Sequence, residues 1–285
     1  MNTFWLIGLT LVCFMFAASY ALRANAFRFA LRVGREIEAF GPLRSSTAPI
    51  EEVRFDRLPE PVRRYLTKAI ERDRSPVASA HIKHGGTFRP KLDGVWLPIR
   101  GTECIRAEPP AFIWWGRVRM APGVWIDARD RSENGRGNML VLMDSTFTLA
   151  NSSGSEIDQG AMLRLLGEMV WIPTAFLEPR VVWKGLGDRR AEATLRIGNQ
   201  SVTGSFEFGQ DDLPVGFRAM RYRDVGHGKA VLTEFYGTMS DYREVHGLLV
   251  PHVLVAHWKV GEQLVPYARF EVTEIKFDQP FSEGT

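Results

Sequence analysis

Cysteine is scarce in this chain: its 285 residues include only Cys13 and Cys104. Cys13 lies in an apolar N-terminal run, so no disulfide can form within the rest of the chain. Thr10-Leu11-Val12 lacks the small residue expected before a lipidated cysteine, which excludes a lipoprotein anchor at Cys13. The body must therefore be held together by its own apolar core, and a body of this size can bury one.

A strong excess of charge is also missing. The chain carries 36 Lys and Arg against 33 Asp and Glu, a net charge of +3. Nucleic-acid binding would require a basic stripe or a strongly basic domain, so we predict no nucleic-acid partner. The sequence has no Gly-x-Ser-x-Gly motif, so a lipase-type nucleophile elbow is unsupported, and it has no Walker A lysine loop for binding nucleotide phosphates.

Metal-binding patterns are weak. His81 and His84 are three residues apart on a predicted strand and therefore face opposite sides, and Cys104 has no nearby cysteine partner. The segment Asp130-x-Ser132-x-Asn134-Gly135 fits the first half of a calcium loop, but Val141 stands where that loop requires glutamate. A tight hairpin explains the same residues. We predict no metal site and no cofactor.

The most informative feature that is present is the N-terminal run Thr3–Leu22, which contains no charged residue. As an α-helix it is roughly 30 Å long, the thickness of the hydrocarbon core of a bilayer. We predict that residues 1–22 form one transmembrane anchor, with membrane lipid as its partner. A cleaved signal peptide is the alternative, because Ser19-Tyr20-Ala21 and Ala24-Asn25-Ala26 suit a signal peptidase, although no basic residue precedes the run.

The flank of this run indicates its orientation. The arginines that follow it are Arg23, Arg28, Arg32 and Arg35. Basic residues close to a membrane helix stay on the cytoplasmic side, so we predict a single-pass protein of the inner membrane with a cytoplasmic body. A periplasmic body is the alternative, because many periplasmic proteins also lack disulfides.

Residues 23–50 are predicted as a juxtamembrane helix and linker. Between residues 24 and 40, apolar residues recur near helical spacing: Phe29, Val33, Ile37 and Phe40. This pattern fits an amphipathic helix or a plain extension of the anchor, and we favour the extension. Gly41-Pro42 ends the helix, and a short polar linker follows.

Residues 51–285 are predicted as one antiparallel β-rich domain with helices near 59–72 and 156–172. Short runs rich in Val, Trp, Phe, Ile and Thr alternate with turn signals such as Asn134-Gly135 and Asn151–Gly154. Consecutive hairpins imply antiparallel pairing. The fold class is mainly β: a curved antiparallel sheet or half-barrel with one buried helix, preceded by N-terminal helices that include one transmembrane helix.

The helix near 156–172 carries the most interesting polar residues. Arg164, Glu168 and Trp171 are spaced i, i+4, i+7 and share one line on an α-helix. A partly desolvated carboxylate at Glu168 could have a raised pKa and act as an acid or base. A structural ion pair that fixes the helix explains the same residues, and we favour it.

Aromatic residues and arginines suggest a ligand site. Trp114 and Trp115 are adjacent on one strand and point to opposite faces, and Arg117, Arg119, Arg129 and Arg131 alternate nearby. An apolar cavity rimmed by arginines suits an acyl chain with an anionic head. A Trp-rich core with solvated arginines outside it explains the same residues, and we favour that explanation. The predicted ligand-binding residues are Trp114, Trp125, Arg164, Glu168, Trp171 and Phe176.

The leading functional hypothesis is therefore a membrane-anchored protein that binds a hydrophobic or lipid-like ligand in a cavity of its β domain. An enzyme that uses Glu168 as acid or base on a membrane-derived substrate is one alternative. A scaffold for a membrane protein complex is another. The sequence leans against an enzyme, because no catalytic residue is indicated beyond Glu168.

Several segments together resemble an uncharacterised bacterial family defined by a domain of unknown function. They are Leu58–Leu66 (LPEPVRRYL), Pro109–Trp114 (PPAFIW), Arg164–Ala175 (RLLGEMVWIPTA) and Tyr242-Arg243-Glu244 with Gly247, Pro251 and Trp258. The resemblance covers about residues 55 to 277, and this chain has Phe235-Tyr236 where the family pattern expects a Trp. It implies a mostly β body behind an N-terminal membrane segment, more loosely similar to the half-barrels of lipoprotein carriers.

Overall fold

The computed structural model describes residues 3–39, 50–51, 53–226 and 229–279. Its helices are α1 (Thr3–Glu38), α2 (Val53–Asp56), α3 (Glu60–Ala69) and α4 (Ser155–Glu168). The chain after α4 continues as two 3-10 turns, Met169–Trp171 and Pro173–Leu177. The strands are β1 (Ser79–Phe88), β2 (Leu97–Arg106), β3 (Ala111–Ala121), β4 (Val124–Glu133), β5 (Arg136–Met143), β6 (Phe147–Ser153), β7 (Val181–Gly185), β8 (Arg190–Ile197), β9 (Gln200–Phe208), β10 (Pro214–Asp224), β11 (Ala230–Val245), β12 (Leu248–Val260) and β13 (Gln263–Phe277).

All the strands form a single antiparallel sheet. Its order is β6-β5-β4-β3-β2-β1-β13-β12-β11-β10-β9-β8-β7. The sheet is thus made of two meanders that are joined side by side where β1 pairs with β13. Helix α4 connects the outermost strands β6 and β7 and packs against the inward face of β5, β10 and β9. The predicted fold class is confirmed: an open, mostly β antiparallel sheet with one buried helix among the strands.

Alternation along the strands divides the sheet into an inner face and an outer face. On β3, for example, Phe112, Trp114 and Val118 point inward, where α4 and the 3-10 turns complete the main core. Residues one position away, such as Ile113 and Trp115, belong to a second apolar cluster on the outer face. This separation follows from the period of two in a strand, which sends successive side chains to opposite faces.

Helix α1 forms the other half of the outer cluster. Its residues Phe29, Val33 and Ile37 are buried against the sheet, and Phe29 meets the Trp115 ring edge-on at 6.1 Å between ring centroids. Glu36 of α1 pairs with Arg129 of β4 at 3.1 Å. The helix therefore extends without a break from the apolar run into a docked segment. Phe40, the fourth residue of the predicted stripe, lies outside the described residues.

The hairpin predicted at Asn134-Gly135 is confirmed. Both residues have positive φ values, 52° and 76°, and they join β4 to β5 directly. Asparagine and glycine tolerate this left-handed backbone, which suits the right-handed twist of the flanking strands. The turn predicted at Asn151–Gly154 is different: Asn151 to Ser153 belong to β6, and the chain turns only at Gly154.

Candidate functional site

The inner face of the sheet encloses a cavity of about 400 Å³. One wall is formed by α4 through Leu163, Arg164, Gly167 and Glu168. The remaining wall comes from the inward residues of β1 to β5 and β10 to β13. Most of these residues are apolar or aromatic, among them Phe88, Trp114, Val118, Met139, Phe235 and Leu254. The size and lining of the cavity are typical of a small-molecule binding site.

Glycines bring the elements close together around this cavity. Gly167 of α4 lies against Phe217 of β10, so that an added Cβ would be 3.0 Å from its ring. Gly204 of β9 supports the other side of the same ring, with an added Cβ at 2.4 Å. Gly237 differs, because a Cβ there would meet only Phe235, at an ordinary 3.5 Å, and it lines open space in the cavity.

A buried arginine forms the polar part of the α4 wall. Arg164 pairs with Glu103 of β2 at 3.2 Å, with Asp130 of β4 at 3.0 Å and with Glu168 one turn further along α4 at 2.8 Å. Its guanidinium carbon also lies 4.9 Å from the ring centroids of both Phe112 and Trp114. Arg164 thus ties α4 to the inner face of the sheet through charge and aromatic contact together.

The charges in this cluster are unequal, since one guanidinium meets three carboxylates. Burial lowers the pKa of Arg164, but Glu103, Glu168 and Asp130 outweigh it and raise the pKa above its ordinary value. Burial raises the pKa of the Glu103 carboxyl well above its ordinary value; Arg164 opposes this shift and Glu168 adds to it. Folding therefore favours a charged Arg164 and a neutral Glu103.

Trp114 is fixed by a histidine on the neighbouring side of the cavity. Its Nε1–H donates to Nε2 of His84 at 2.9 Å, and Nδ1 of His84 lies 3.1 Å from the carbonyl oxygen of Gly85. Because Nε2 accepts, the proton of the neutral ring is on Nδ1. Burial lowers the pKa of His84 to about 4, and the positive charge of Arg164 lowers it further while the Gly85 carbonyl opposes the shift.

A second arginine, Arg221 of β10, also lines the cavity. Its guanidinium lies 5.5 Å from the Phe235 ring centroid, and its side chain passes over Gly160 of α4. Within the part of the chain that the structure describes, no carboxylate forms an ion pair with Arg221. Burial raises the pKa of the nearby Tyr267 hydroxyl, and the positive charges of Arg221 and Arg164 partly oppose this shift. The sequence analysis missed Arg221, although it shares strand parity with the core residues Phe217 and Ala219.

Of the predicted site residues, the structure brings Trp114, Arg164 and Glu168 together in this cavity. Trp125 lies on the outer face, because Ile126 and Ala128 occupy the inward positions of β4. Its indole Nε1 donates to Asp127 at 3.0 Å, and Arg117 stacks over its ring at 4.9 Å.

The structure does not bring Trp171 and Phe176 to the cavity either. Helix α4 ends at Glu168, so Trp171 leaves the line of Arg164 and donates to the carbonyl of Pro251 at 3.0 Å. Phe176 is buried among Tyr65, Trp183 and Phe206. Both rings are buried in the main core and do not line the cavity.

The arginines expected around the cavity lie elsewhere. Arg129, the most buried of them, faces outward and binds Glu36 of α1 and the side chain of Asn138. Arg117 pairs with Asp127 on the same outer face at 2.7 Å. The expectation that these residues rim the cavity is wrong, because they share the parity of Trp115 rather than that of Trp114. The cationic groups in the cavity are Arg164 and Arg221.

The outer face has a depression of its own, of about 550 Å³, between β1, β2 and β3. Its cations include Lys83 and Arg117, which pair with Glu274 and Asp127. The chemistry of the cavity on the inner face is richer, since it combines an apolar wall with a buried charge cluster. We therefore take the inner cavity as the candidate site.

Comparisons with known proteins give one family match. Residues 48–270 match a family described as a family of unknown function, DUF6544. Solved structures to which the chain is similar include a DUF1329 family protein from Desulfovibrio piger, 11% identical, with a TM-score of 0.44 over 83% of this chain and 96% of that chain. A LolA superfamily protein from Nitrosomonas europaea is 10% identical, with a TM-score of 0.36 over 70% of this chain and 86% of that chain. No curated protein matches the chain.

Proposed function

Because the chain belongs to the DUF6544 family of unknown function, we propose its function from the cavity itself: it binds a hydrophobic, lipid-like ligand with an anionic group. The observation that carries this proposal is an apolar cavity of about 400 Å³ that contains Arg221, a cation with no ion-pair partner among the residues that the structure describes. Ligand sites of this kind combine an apolar lining with a few placed polar groups that fix orientation.

Arg221 is the better contact for the anionic group, because the charge of Arg164 is already used. Arg164 is held by Glu103, Asp130 and Glu168, so an incoming anion would have to displace a carboxylate. Arg221 lies against the Phe235 ring and, among the described residues, has no carboxylate partner that an anion would have to displace. A guanidinium in this setting can donate two hydrogen bonds to a carboxylate or phosphate. Trp114 and Phe235 are placed to contact the apolar part of the ligand.

The proposal includes a membrane location. Helix α1 is long and apolar enough to cross a bilayer, a property that a signal sequence near the N-terminus shares. We assign α1 as a single-pass anchor of the inner membrane, with the arginines after Leu22 favouring a cytoplasmic body. The anchor would keep the cavity close to a supply of lipid-like ligands.

The direct test is native mass spectrometry of the full chain released from its detergent micelle, followed by solvent extraction of the bound molecule. A stoichiometric adduct that extracts as an anionic lipid or fatty acid is the expected result. A bare polypeptide mass, repeated with protein purified from native membranes, contradicts the proposal.

A cavity-filling variant gives the sharpest prediction. Gly237→Leu places a side chain in the open space of the cavity, where its Cβ makes only an ordinary contact with Phe235. We expect ligand occupancy to fall at least about tenfold, because the leucine takes the volume that the ligand needs. Occupancy is measured as the ratio of adduct to bare mass.

The matched control is Gly85→Leu. Gly85 is also a strand glycine, a Cβ there meets nothing within 4 Å, and it lines the outer depression. Ligand occupancy of the Gly85→Leu variant should equal that of the wild type. If Gly85→Leu loses the adduct and Gly237→Leu keeps it, the ligand binds on the outer face and the proposed site is wrong.

A second prediction concerns the head group. Arg221→Gln should reduce binding of a fluorescent fatty acid about tenfold or more, since a hydrogen bond to a charged group contributes about 1.5–3 kcal/mol. Binding of the corresponding neutral alcohol should change little. Arg221→Lys should recover part of the loss, and Arg196→Gln, on exposed surface of β8, should have no effect. Equal losses for acid and alcohol contradict a role in charge recognition.

A further inference from the structure

The hairpin turns at one end of the sheet carry an unusual set of exposed apolar side chains. The turns meant here join β1 to β2, β3 to β4, β5 to β6, β10 to β11 and β12 to β13, and we call them the tip hairpins. The turn between β8 and β9 is not one of them, because it lies beside Gly135 in the turn between β4 and β5. One residue from each illustrates the set: Val95, Val124, Phe147, Leu232 and Val260. Val95 is 74% exposed and Phe147 is 63% exposed. Isolated exposed apolar residues are ordinary, but a set shared by neighbouring turns marks an interaction surface.

The cavity lies at this same end of the domain. Several strands of the tip hairpins line it with residues in the half next to the turn, such as Phe88 on β1, Val118 on β3 and Tyr267 on β13. The opposite end of the sheet is covered. There α3 contacts β12 through the bridge between Ile70 and Leu248, and α4 crosses the inner face.

Helix α1 points toward the tip hairpins. From the docked residue Ile37 it runs back along the outer face, and Asn25 donates to Thr146 in the turn between β5 and β6 at 2.9 Å. The apolar run ends at Leu22, less than one helical turn before this contact. The residues from Phe4 to Ala21 are exposed in the structure, and as a helix they extend for roughly 30 Å beyond the tip hairpins.

We infer that the tip hairpins dock on the lipid bilayer that α1 spans, so that the cavity opens toward the membrane. The end of the apolar run fixes the level of the membrane surface, and that level coincides with the tip hairpins. Arg23 and Arg28 of α1 are exposed at this level, where they can meet anionic head groups. The exposed apolar residues of the tips then lie in the interface rather than in water.

This inference rests on the proposed anchoring by α1 but not on the presence of a ligand. If a ligand is bound as proposed, docking allows it to pass between bilayer and cavity without crossing water. An apolar chain would otherwise lose the favourable free energy of its lipid environment, about 0.8 kcal/mol for each CH₂ group exposed. A membrane-facing opening removes that barrier.

Site-directed fluorescence on the full chain tests the inference. A single cysteine is introduced into a Cys13→Ser, Cys104→Ala background, labelled with an environment-sensitive fluorophore and reconstituted in vesicles of phosphatidylethanolamine and phosphatidylglycerol. The tip positions are Val95→Cys and Leu232→Cys, on separate hairpins, so that one can replace the other if a variant fails to fold. The quencher is a phospholipid with a nitroxide on its acyl chain.

The matched control is Val215→Cys. Val215 is 41% exposed, close to the 47% of Leu232, but it lies at the other end of β10, roughly 30 Å from the turn. We expect the tip labels to be quenched several-fold more than the Val215 label. Equal quenching at all three positions overturns the inference. A second result also overturns it: tip labels that are protected from water in native membranes but not in vesicles that contain only this protein and lipid. That result would indicate a protein partner.

A label on α1 separates this inference from the anchoring proposal. Leu9→Cys lies in the middle of the apolar run and should be quenched by the same lipid. Quenching at Leu9 without quenching at the tips overturns docking and leaves the anchor in place. Without quenching at either position, both the anchor and the docking surface are wrong.

Discussion

Replacing Arg164 by methionine is expected to destabilise the β domain by about 3–5 kcal/mol at neutral pH. Methionine keeps the length and apolar contacts of the side chain but leaves Glu103, Asp130 and Glu168 without their shared cation. Removing one partner of a buried ion pair lowers the stability of the folded state by much more than the intact pair adds to it, because a buried charge is left uncompensated. The measurement is urea unfolding of the full chain in detergent micelles, followed by tryptophan fluorescence.

The sign of the pH dependence provides an internal check on this prediction. Burial raises the pKa of the Glu103 carboxyl, and without Arg164 the charge that opposes this shift is gone, so folding favours its neutral form more strongly. A group whose pKa is raised by folding contributes most stability below its unfolded pKa and loses it as pH rises through the folded pKa. The deficit of Arg164→Met should therefore shrink as pH falls toward 4.5.

Glu103→Gln is the matched control for the same cluster. The amide resembles the neutral carboxyl that burial favours at Glu103, so we expect a much smaller loss than in Arg164→Met. Glu168→Gln should also be milder, because Asp130 and Glu103 remain as partners of Arg164. A loss of 3–5 kcal/mol in Glu103→Gln would contradict this account of its charge state.

The second large effect is a loss of stability in mild acid that depends on His84. Its pKa falls from an ordinary 6.5 to about 4 in the folded chain because the ring is buried. The unfolded chain therefore takes up a proton on His84 before the folded chain does. Stability from this residue is present above pH 6.5 and is lost as pH falls toward 4, by roughly 3 kcal/mol in total.

The test compares the wild type with His84→Gln over this range. Glutamine can still accept a hydrogen bond from Trp114 Nε1 but cannot be protonated, so the variant should start less stable and lack this part of the acid loss. Other groups titrate in both proteins and cancel in the difference between the two curves. Parallel curves between pH 6.5 and 4 would mean that His84 does not govern the acid loss.

Local patterns predicted much of the architecture. Turn chemistry gave the hairpin at Asn134-Gly135, strand runs gave the antiparallel sheet, and helical spacing gave the face of α1 at Phe29, Val33 and Ile37. These features depend on residues that are close in the chain. The length of the apolar run likewise follows from composition alone.

Strand β6 shows where local patterns fail. Its sequence, from Phe147 to Ser153, suggested a turn around Asn151, but pairing with β5 holds these residues in an extended conformation. Hydrogen bonds to a neighbouring strand override weak local preference, especially at the edge of a sheet.

Arg164 and Glu168 were identified from helical spacing, and Trp114 from its place on a strand. Which of the aromatic and basic residues share one cavity was decided by strand parity and register across distant parts of the chain. Strand parity placed Trp125 and Arg129 on the outer face of the sheet. Because α4 ends at Glu168, Trp171 does not reach the cavity. The pairing of β10 with β11 brought Arg221 close to Phe235. A shift of one residue in any strand would exchange its faces. The sequence by itself determined the long apolar N-terminal helix, the hairpin at Asn134-Gly135 and the helix that carries Arg164, because those depend on neighbouring residues. Only the tertiary structure decided the composition of the cavity, because that depends on long-range register.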